Sequence, residues 1–395
     1  MVPKGWEVLH LKDVASKIQD GNYGADYPKA DEFVASGIPF LTSKVIGGIG
    51  TINPDKFDYI KEEKHQSLKK AQIVAGDILF TNRGANVGTI AIVPDYIATA
   101  NIGPQLTLVR CNDCILKEYL FQFLRGSFFQ KQIQQRDSGS AMNFFGIKDT
   151  ERFKVLVPSL SEQKRIAQIL STWDKAISVT EKLLANSQQQ KKALMQQLLT
   201  GKKRLLDENG VRFNGKWEKK LLSDVADVYQ PKTISQSMMS DSGYPVYGAN
   251  GVIGFYQEFN HETEQIAVTC RGSTCGIVNW TQAKSWITGN AMVINTDNYS
   301  YVSKKFLFYT LNGSDLKYLI SGSGQPQITG NIKTHIINLP CIEEQQKIAT
   351  VLSAADAEIY TLEKKLACLR DEKKALMQQL LTGKRRVKVD EAVAE

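Results

Sequence analysis

Two arginines stand where a side chain can do recognition chemistry. Arg83 and Arg271 each end an apolar run and precede a glycine, in Thr81-Asn82-Arg83-Gly84 and Thr269-Cys270-Arg271-Gly272, with Gly88 and Gly276 four residues further on (88 − 84 and 276 − 272). A guanidinium at a strand end offers a planar fork of donors that can pair with guanine O6 and N7 or clamp a phosphate. The competing reading is an arginine that stabilises its own turn. Asn82, Asn86, Ser273 and Thr274 share these turns and can meet base edges, and Thr42, Ser43 and Lys44 follow the apolar stretch Pro39-Phe40-Leu41. Gln325, Gln327 and Asn331 lie in a polar, Gly-rich segment, with Asn143 and Lys148 as approximate counterparts in the first half. Amides there can pair with adenine N6 and N7, and satisfaction of the loop's own backbone explains them equally. Tyr23, Tyr27, Tyr247 and Tyr256 read as half-buried packing rather than base-stacking groups.

Signatures of catalysis do not accompany these candidates. The chain has no G-x-x-x-x-G-K-[ST] phosphate loop and no H-E-x-x-H pair. Gly47, Gly48 and Gly50 lack dinucleotide spacing and read as a turn. Asn53-Pro54 starts like an amino-methyltransferase motif, but Asp55 and Lys56 follow where proline and an aromatic are required. His10, His65, His261 and His335 sit beside no nucleophile motif and read as structural. Among six cysteines, Cys111 and Cys114 form one C-x-x-C without a second ligand pair, and Cys270 and Cys275 align with Asn82 and Val87, so neither site is that of a metal. The expectation is a chain with no enzyme activity, metal or cofactor of its own.

The elements that carry the arginines are duplicated. Glu162 and Glu344 open two stretches that align without a gap at an offset of 182 residues (344 − 162), and KKALMQQLLTGK is identical at residues 191–202 and 373–384. In the second copy Ile348, Leu352, Ala355, Ile359, Leu362, Leu366, Leu369, Leu376 and Leu380 alternate four and three apart, interrupted only by Lys373. This spacing is a coiled-coil seam. The first copy keeps it at Ile166, Leu170, Trp173, Ile177, Leu184, Leu194 and Leu198 but inserts Thr180, Ser187 and Lys191, so it reads as the weaker seam. About 40 residues of helix would span about 60 Å. Pro158 and Pro340 precede the helices, Ser159 and Ser161 can cap the first, and Gly201 and Gly383 end them. The basic clusters after each stop, Lys202, Lys203 and Arg204, then Lys384, Arg385 and Arg386, read either as solvated helix ends or as phosphate contacts.

Upstream of each helix the same signposts recur in order. Trp6 and Trp217 stand seven residues before Asp13-Val14-Ala15 and Asp224-Val225-Ala226 (13 − 6 and 224 − 217). The Arg-Gly turn follows, then Asn101 or Asn290 before an apolar strand. An aromatic helix comes next, around Tyr119 to Phe129 or Phe306 to Tyr318. Ser-Gly-Ser closes the series at 138–140 and 321–323. Short Gly-, Thr-, Val- and Ile-rich runs between them predict an α+β domain. The predicted layout is a first globular domain over 1–158, a helix over 159–201, a linker over 202–215, a second domain over 216–340, a second helix over 341–383 and a charged tail over 384–395.

The 395 residues are 42% hydrophobic and 23% charged, enough for two ordinary cores. No run of eighteen apolar residues and no N-terminal secretory series is present, so a cytoplasmic protein without membrane contact is expected. A net charge of +8 favours a polyanion partner without identifying one. Two related but unlike domains on a stiff spacer suit two unlike short sequences on one duplex, whereas identical domains would predict a palindrome.

The chain resembles the specificity subunit of type I restriction-modification systems. The likeness rests on the two-domain, two-helix layout, on Leu-Met-Gln-Gln-Leu-Leu-Thr-Gly-Lys at 194–202 and 376–384, and on the helix starts PSLSEQKRIAQ at 158–168 and PCIEEQQKIAT at 340–350. The resemblance implies two target-recognition domains on an antiparallel pair of helices with pseudo-twofold symmetry. It also implies double-stranded DNA and two methylation subunits as partners, joined by restriction subunits where a system encodes them. S-adenosylmethionine, ATP and Mg would belong to those partners. Two rivals are a coiled-coil adaptor that binds no DNA and a lone DNA-modifying enzyme with an unrecognised site.

Overall fold

The computed structural model describes residues 2–137, 144–249, 251–322 and 326–389. The chain forms two compact units, one of Met1–Glu181 with Lys365–Glu395 and one of Lys182–Lys364. Both mix sheets and helices. Because the two long helices, Leu160–Leu198 and Ile342–Leu380, are each 39 residues and run through both units, each unit holds the start of one and the end of the other.

In the first unit Glu7–His10 pairs antiparallel with Lys154–Val157, closing the domain just before the helix. A four-stranded sheet runs Ala15–Asp20, Leu106–Cys111, Ile78–Thr81, Ile90–Ile92, and a five-stranded one Phe33–Val34, Asp58–Ile60, Ile38–Leu41, Ala100–Ile102, Gln72–Ile73. The second unit repeats the closing pair with Glu218–Leu221 and Ile336–Leu339, and the four-stranded sheet with Asp227–Tyr229, Ala291–Asn295, Ile266–Thr269, Val278–Trp280. It departs in its further sheet, which has three strands: Gly251–Tyr256, Tyr244–Gly248 and Trp286–Ile287. Ile78–Thr81 and Ile266–Thr269 are buried at all four residues. A strand packed on both faces reads as a continuous apolar run, which is why these two segments lack alternation.

The aromatic helices differ from the expected spans. Gly126 breaks the first into Lys117–Arg125 and Ser127–Asp137, and the second is Lys304–Asn312, ended at Gly313, with one tight turn at Lys317–Leu319 beyond it. Their aromatic faces enter the cores: Phe80 stands 6.1, 6.0 and 6.2 Å from Phe129, Phe145 and Phe153, and Phe306 packs against Trp217.

The long helices stop as their glycines dictate, with Gly201 and Gly383 at φ of +70° and +66°. Ser159 accepts the Glu162 amide at 3.4 Å. Within each unit the two helices run in opposite directions: Glu162, Asp174 and Glu181 meet Arg386, Lys373 and Arg370, while Ser187, Lys191 and Arg204 meet Glu358, Asp356 and Glu344. Every seam residue is buried or half-buried, including the supposed interruptions Thr180, Ser187, Lys191 and Lys373. Thr180 donates to its own helix and Ser187 to Glu358, so polar seam residues are satisfied rather than weak. Leu366, 7% exposed, lies in this seam. Leu366→Gln is expected to lower stability by about 2 kcal/mol, read as a shift in the urea midpoint with an unchanged slope.

Candidate nucleic-acid interface

The two Arg-Gly turns are the same structure built from different side chains. Gly84, Gly88, Gly272 and Gly276 have φ of +87°, +89°, +84° and +92°, conformations that only glycine adopts at little cost. The amides of Val87 and Gly88 donate to Gly84 and Thr81 at 3.1 and 2.9 Å, and those of Cys275 and Gly276 to Gly272 and Thr269 at 3.1 and 2.8 Å. Each turn is also bridged to the polar segment selected from the sequence. Arg83 pairs with Phe144 and Arg271 with Gln327, and the Phe145 and Ile328 amides donate to the Asn82 and Cys270 carbonyls at 2.9 and 3.0 Å. Strand end and distant loop thus form one surface in each unit.

The arginines differ in preorganisation. Arg83 is half-buried, donates from Nε to Asn82 at 3.1 Å and lies 4.3 Å over the half-exposed Phe144 ring, leaving its two terminal nitrogens as a free fork among the described residues. Arg271 is exposed, and its guanidinium has no hydrogen-bond partner among the described residues. Ser273, Asn86, Lys148 and Gln327 are exposed near the turns or on the facing segments. Thr274 is half-buried and donates to the Ala249 carbonyl at 3.4 Å, as Thr269 also does, so the tip of the Tyr244–Tyr256 hairpin lies at the second turn. Ser43 and Asn86 line a common cavity of about 510 Å³ beside the first turn.

Several candidates are corrected. Asn82 is fully buried and donates to Thr107 at 2.9 Å and, more weakly, to Asp20 at 3.4 Å, so it cannot reach a base edge; it aims Arg83 instead. Burial raises the Asp20 carboxyl above the ordinary carboxylate range, although Thr107 donates to it at 2.7 Å. Asn82→Ala is expected to cost about 1 to 2 kcal/mol in chemical unfolding, because it leaves buried polar groups unpaired. Asn331 spends its amide on the turn it opens, accepting from Thr329 and donating to the Leu319 carbonyl at 2.8 Å. Lys44 is held by Asp58 at 2.7 Å, and Thr42 is half-buried as the residue preceding the same short turn. Tyr23 is 58% exposed, not half-buried packing. Gln325, Asn143, and the Ser-Gly-Ser positions 138–140 and 323 lie outside the described residues.

His65, His261 and His335 are structural, bonded to Asn101, to Tyr229 and Asn260, and to Tyr318. Among the described residues no three His, Cys, Asp or Glu side chains group as metal ligands, and no helix is long and apolar enough to cross a membrane.

Sequence reading missed a clasp that fixes each domain to its helices. Glu162 receives Arg386 at 2.8 and 2.8 Å and the Trp6 indole at 3.2 Å; Glu344 receives Arg204 at 2.6 and 2.7 Å and the Trp217 indole at 3.1 Å. Arg204 and Arg386 of the basic clusters are therefore bonded to protein carboxylates, while Arg385 is exposed. The following glutamines do equivalent work, Gln163 bonding Leu116, Cys114 and Pro158 and Gln345 bonding Ser303, Tyr301 and Pro340. The Glu-Gln pair and the tryptophan, each recurring once per half, were the available signal.

The two units thus repeat one architecture, each presenting an Arg-Gly turn bridged to a distant polar segment. The sequence matches the model of the type I restriction modification DNA specificity domain over residues 3–186 and 214–368, and the chain belongs to that family of specificity subunits. It is 28% identical to a Methanocaldococcus jannaschii protein provisionally named the type I restriction enzyme MjaX specificity subunit, over 98% of this chain and 95% of that one. It is 25% identical to the MjaVIII specificity subunit of the same organism, over 98% and 94%. The fold is similar to the crystal structure of the S subunit of a type I restriction-modification system from M. genitalium, with a TM-score of 0.66, 14% identity and 96% coverage of both chains.

Proposed function

We propose that this chain is the non-catalytic DNA-reading subunit of a type I restriction-modification complex, each Arg-Gly turn and its facing segment reading one half of an asymmetric bipartite site. The observation that carries this reading is one backbone turn built twice, with Asn-Arg-Gly-Ala-Asn in one copy and Cys-Arg-Gly-Ser-Thr in the other. Equal backbones with unequal side chains suit two unlike half-sites. The long helices pair as an antiparallel coiled coil, relate the recognition domains by a pseudo-twofold, set the gap between half-sites and dock two methylation subunits. S-adenosylmethionine, ATP and Mg belong to the methylation and restriction subunits. The test is selection from a random duplex library by this chain co-purified with its methylation subunit, at fixed salt. Two unlike half-sites with a constant gap are expected. No enrichment from an assembled complex would replace this reading with that of an adaptor.

A further inference from the structure

Two lysines in the helix seam, Lys191 and Lys373, occupy positions where an apolar residue would pack, and each meets an aspartate of the other helix. Lys373 is 5% exposed and reaches Asp174 at 2.5 Å; Lys191 is half-buried and bonded to Asp356. The pairs are related by the duplication, since Asp174 and Asp356, like Lys191 and Lys373, are 182 apart (356 − 174 and 373 − 191). They are separated by the same 17 residues on both helices (191 − 174 and 373 − 356). Each aspartate is also held by its recognition domain: Asp174 by Gln122 at 2.7 Å and Arg125 at 3.3 Å, Asp356 by Tyr309 at 2.6 Å.

We infer that these two Lys–Asp pairs, one buried at Lys373 and one half-buried at Lys191, are a register lock, the positioning device that selects the antiparallel alignment of the helices and ties each recognition domain to that alignment. The inference deepens the spacer role proposed above and rests on it. Consider the alternatives the duplicated sequence allows. A parallel, in-register pairing sets Asp174 against Asp356 and Lys191 against Lys373, joining like charges. A slip of one heptad in one sense brings the lysines to Ala167 and Ala349. In the other sense it brings the aspartates to Leu380 and Leu198. All four of those residues are buried. Only the observed register gives every charge an opposite partner, and a buried charge without one is far costlier than the pair. The leucines of the seam supply attraction in any register; the polar positions choose among registers.

The full chain carrying Glu181→Cys and Arg370→Cys, residues that face each other across the helices, reports the register through a short bis-maleimide. The exposed Cys114, Cys341 and Cys368 are replaced by serine in this background. Inverting the charges of one helix, Asp174→Lys with Lys191→Asp, is expected to lower the native cross-link about tenfold, and so is Asp356→Lys with Lys373→Asp. Combining all four changes restores opposite partners and is expected to recover at least about half of the parent yield. The lock is overturned if either inverted variant cross-links like the parent, or if the combined variant retains helix content without recovering yield. Should the inverted variants not fold, Asp174→Leu, Lys191→Met, Asp356→Leu and Lys373→Met together keep the seam apolar. A native cross-link at least about threefold weaker, at retained helix content, then supports the lock, and an unchanged one overturns it. None of these yields depends on DNA, so failure of the duplex selection would sink the DNA-reading proposal and leave the register result standing.

Discussion

Replacing Glu344 with alanine is expected to lower the stability of the second unit by about 3 kcal/mol, because removing one partner of a buried ion pair strands the other. The Glu344 side chain is fully buried, and it satisfies three donors: Nε and Nη2 of Arg204 and the indole of Trp217. The substitution leaves a guanidinium, whose side chain is only 20% exposed, with the Gly215 carbonyl but no carboxylate, and an indole N–H without its acceptor. For a cooperative unit of 183 residues (364 − 182 + 1) this corresponds to a fall in Tm of roughly 6 to 12 °C, measurable by circular dichroism. Glu162→Ala is expected to cost less. Its partner Arg386 is 45% exposed and regains water when the carboxylate is gone. Equal losses at the two sites would show that burial of the arginine is not what sets the cost.

Arg271→Ala and Arg83→Ala are each expected to cost about 1 to 3 kcal/mol of discrimination at one base pair, a factor of roughly 5 to 150 in cognate affinity. The effect should fall on one half-site per substitution, since each arginine belongs to a different unit. Arg83 is the better placed for bidentate pairing: Asn82 and the Phe144 ring fix its plane before any ligand arrives, so less side-chain freedom is lost on binding. Competition binding of the assembled complex with single-base variants of the selected site measures this. Uniform weakening across all sequences, with a salt slope reduced by about one, would instead make the arginine a phosphate clamp. Unchanged binding by both variants would remove the Arg-Gly turns from the interface altogether.

The parts of the candidate site that the sequence announced are those fixed by local backbone chemistry. Gly84 with Gly88 and Gly272 with Gly276 signal left-handed positions wherever they stand, and so the turns were legible. Asn82 was misread for the opposite reason. A polar residue beside a turn looks available until Asp20 and Thr107, 62 and 25 residues away, enclose it. The partner of Arg386 was illegible likewise, since nothing near it in sequence reveals that Glu162, 224 residues earlier, accepts it.

The helix seams show the same division at larger scale. Heptad spacing, the prolines before and the glycines after each helix, and the offset of 182 residues determined from sequence alone that the chain is duplicated and carries two long helices. The heptad and cap signals lie within a few residues of one another, where helix geometry translates spacing directly into a face, and the duplication is plain from the identity of 191–202 with 373–384. Lys191 and Lys373 read as flaws in that pattern, because a charge in a seam is a defect only until its partner is known. Only the tertiary structure supplied Asp356 and Asp174, since which charge lies opposite which is set by how two distant segments pack together, and local spacing carries no record of that.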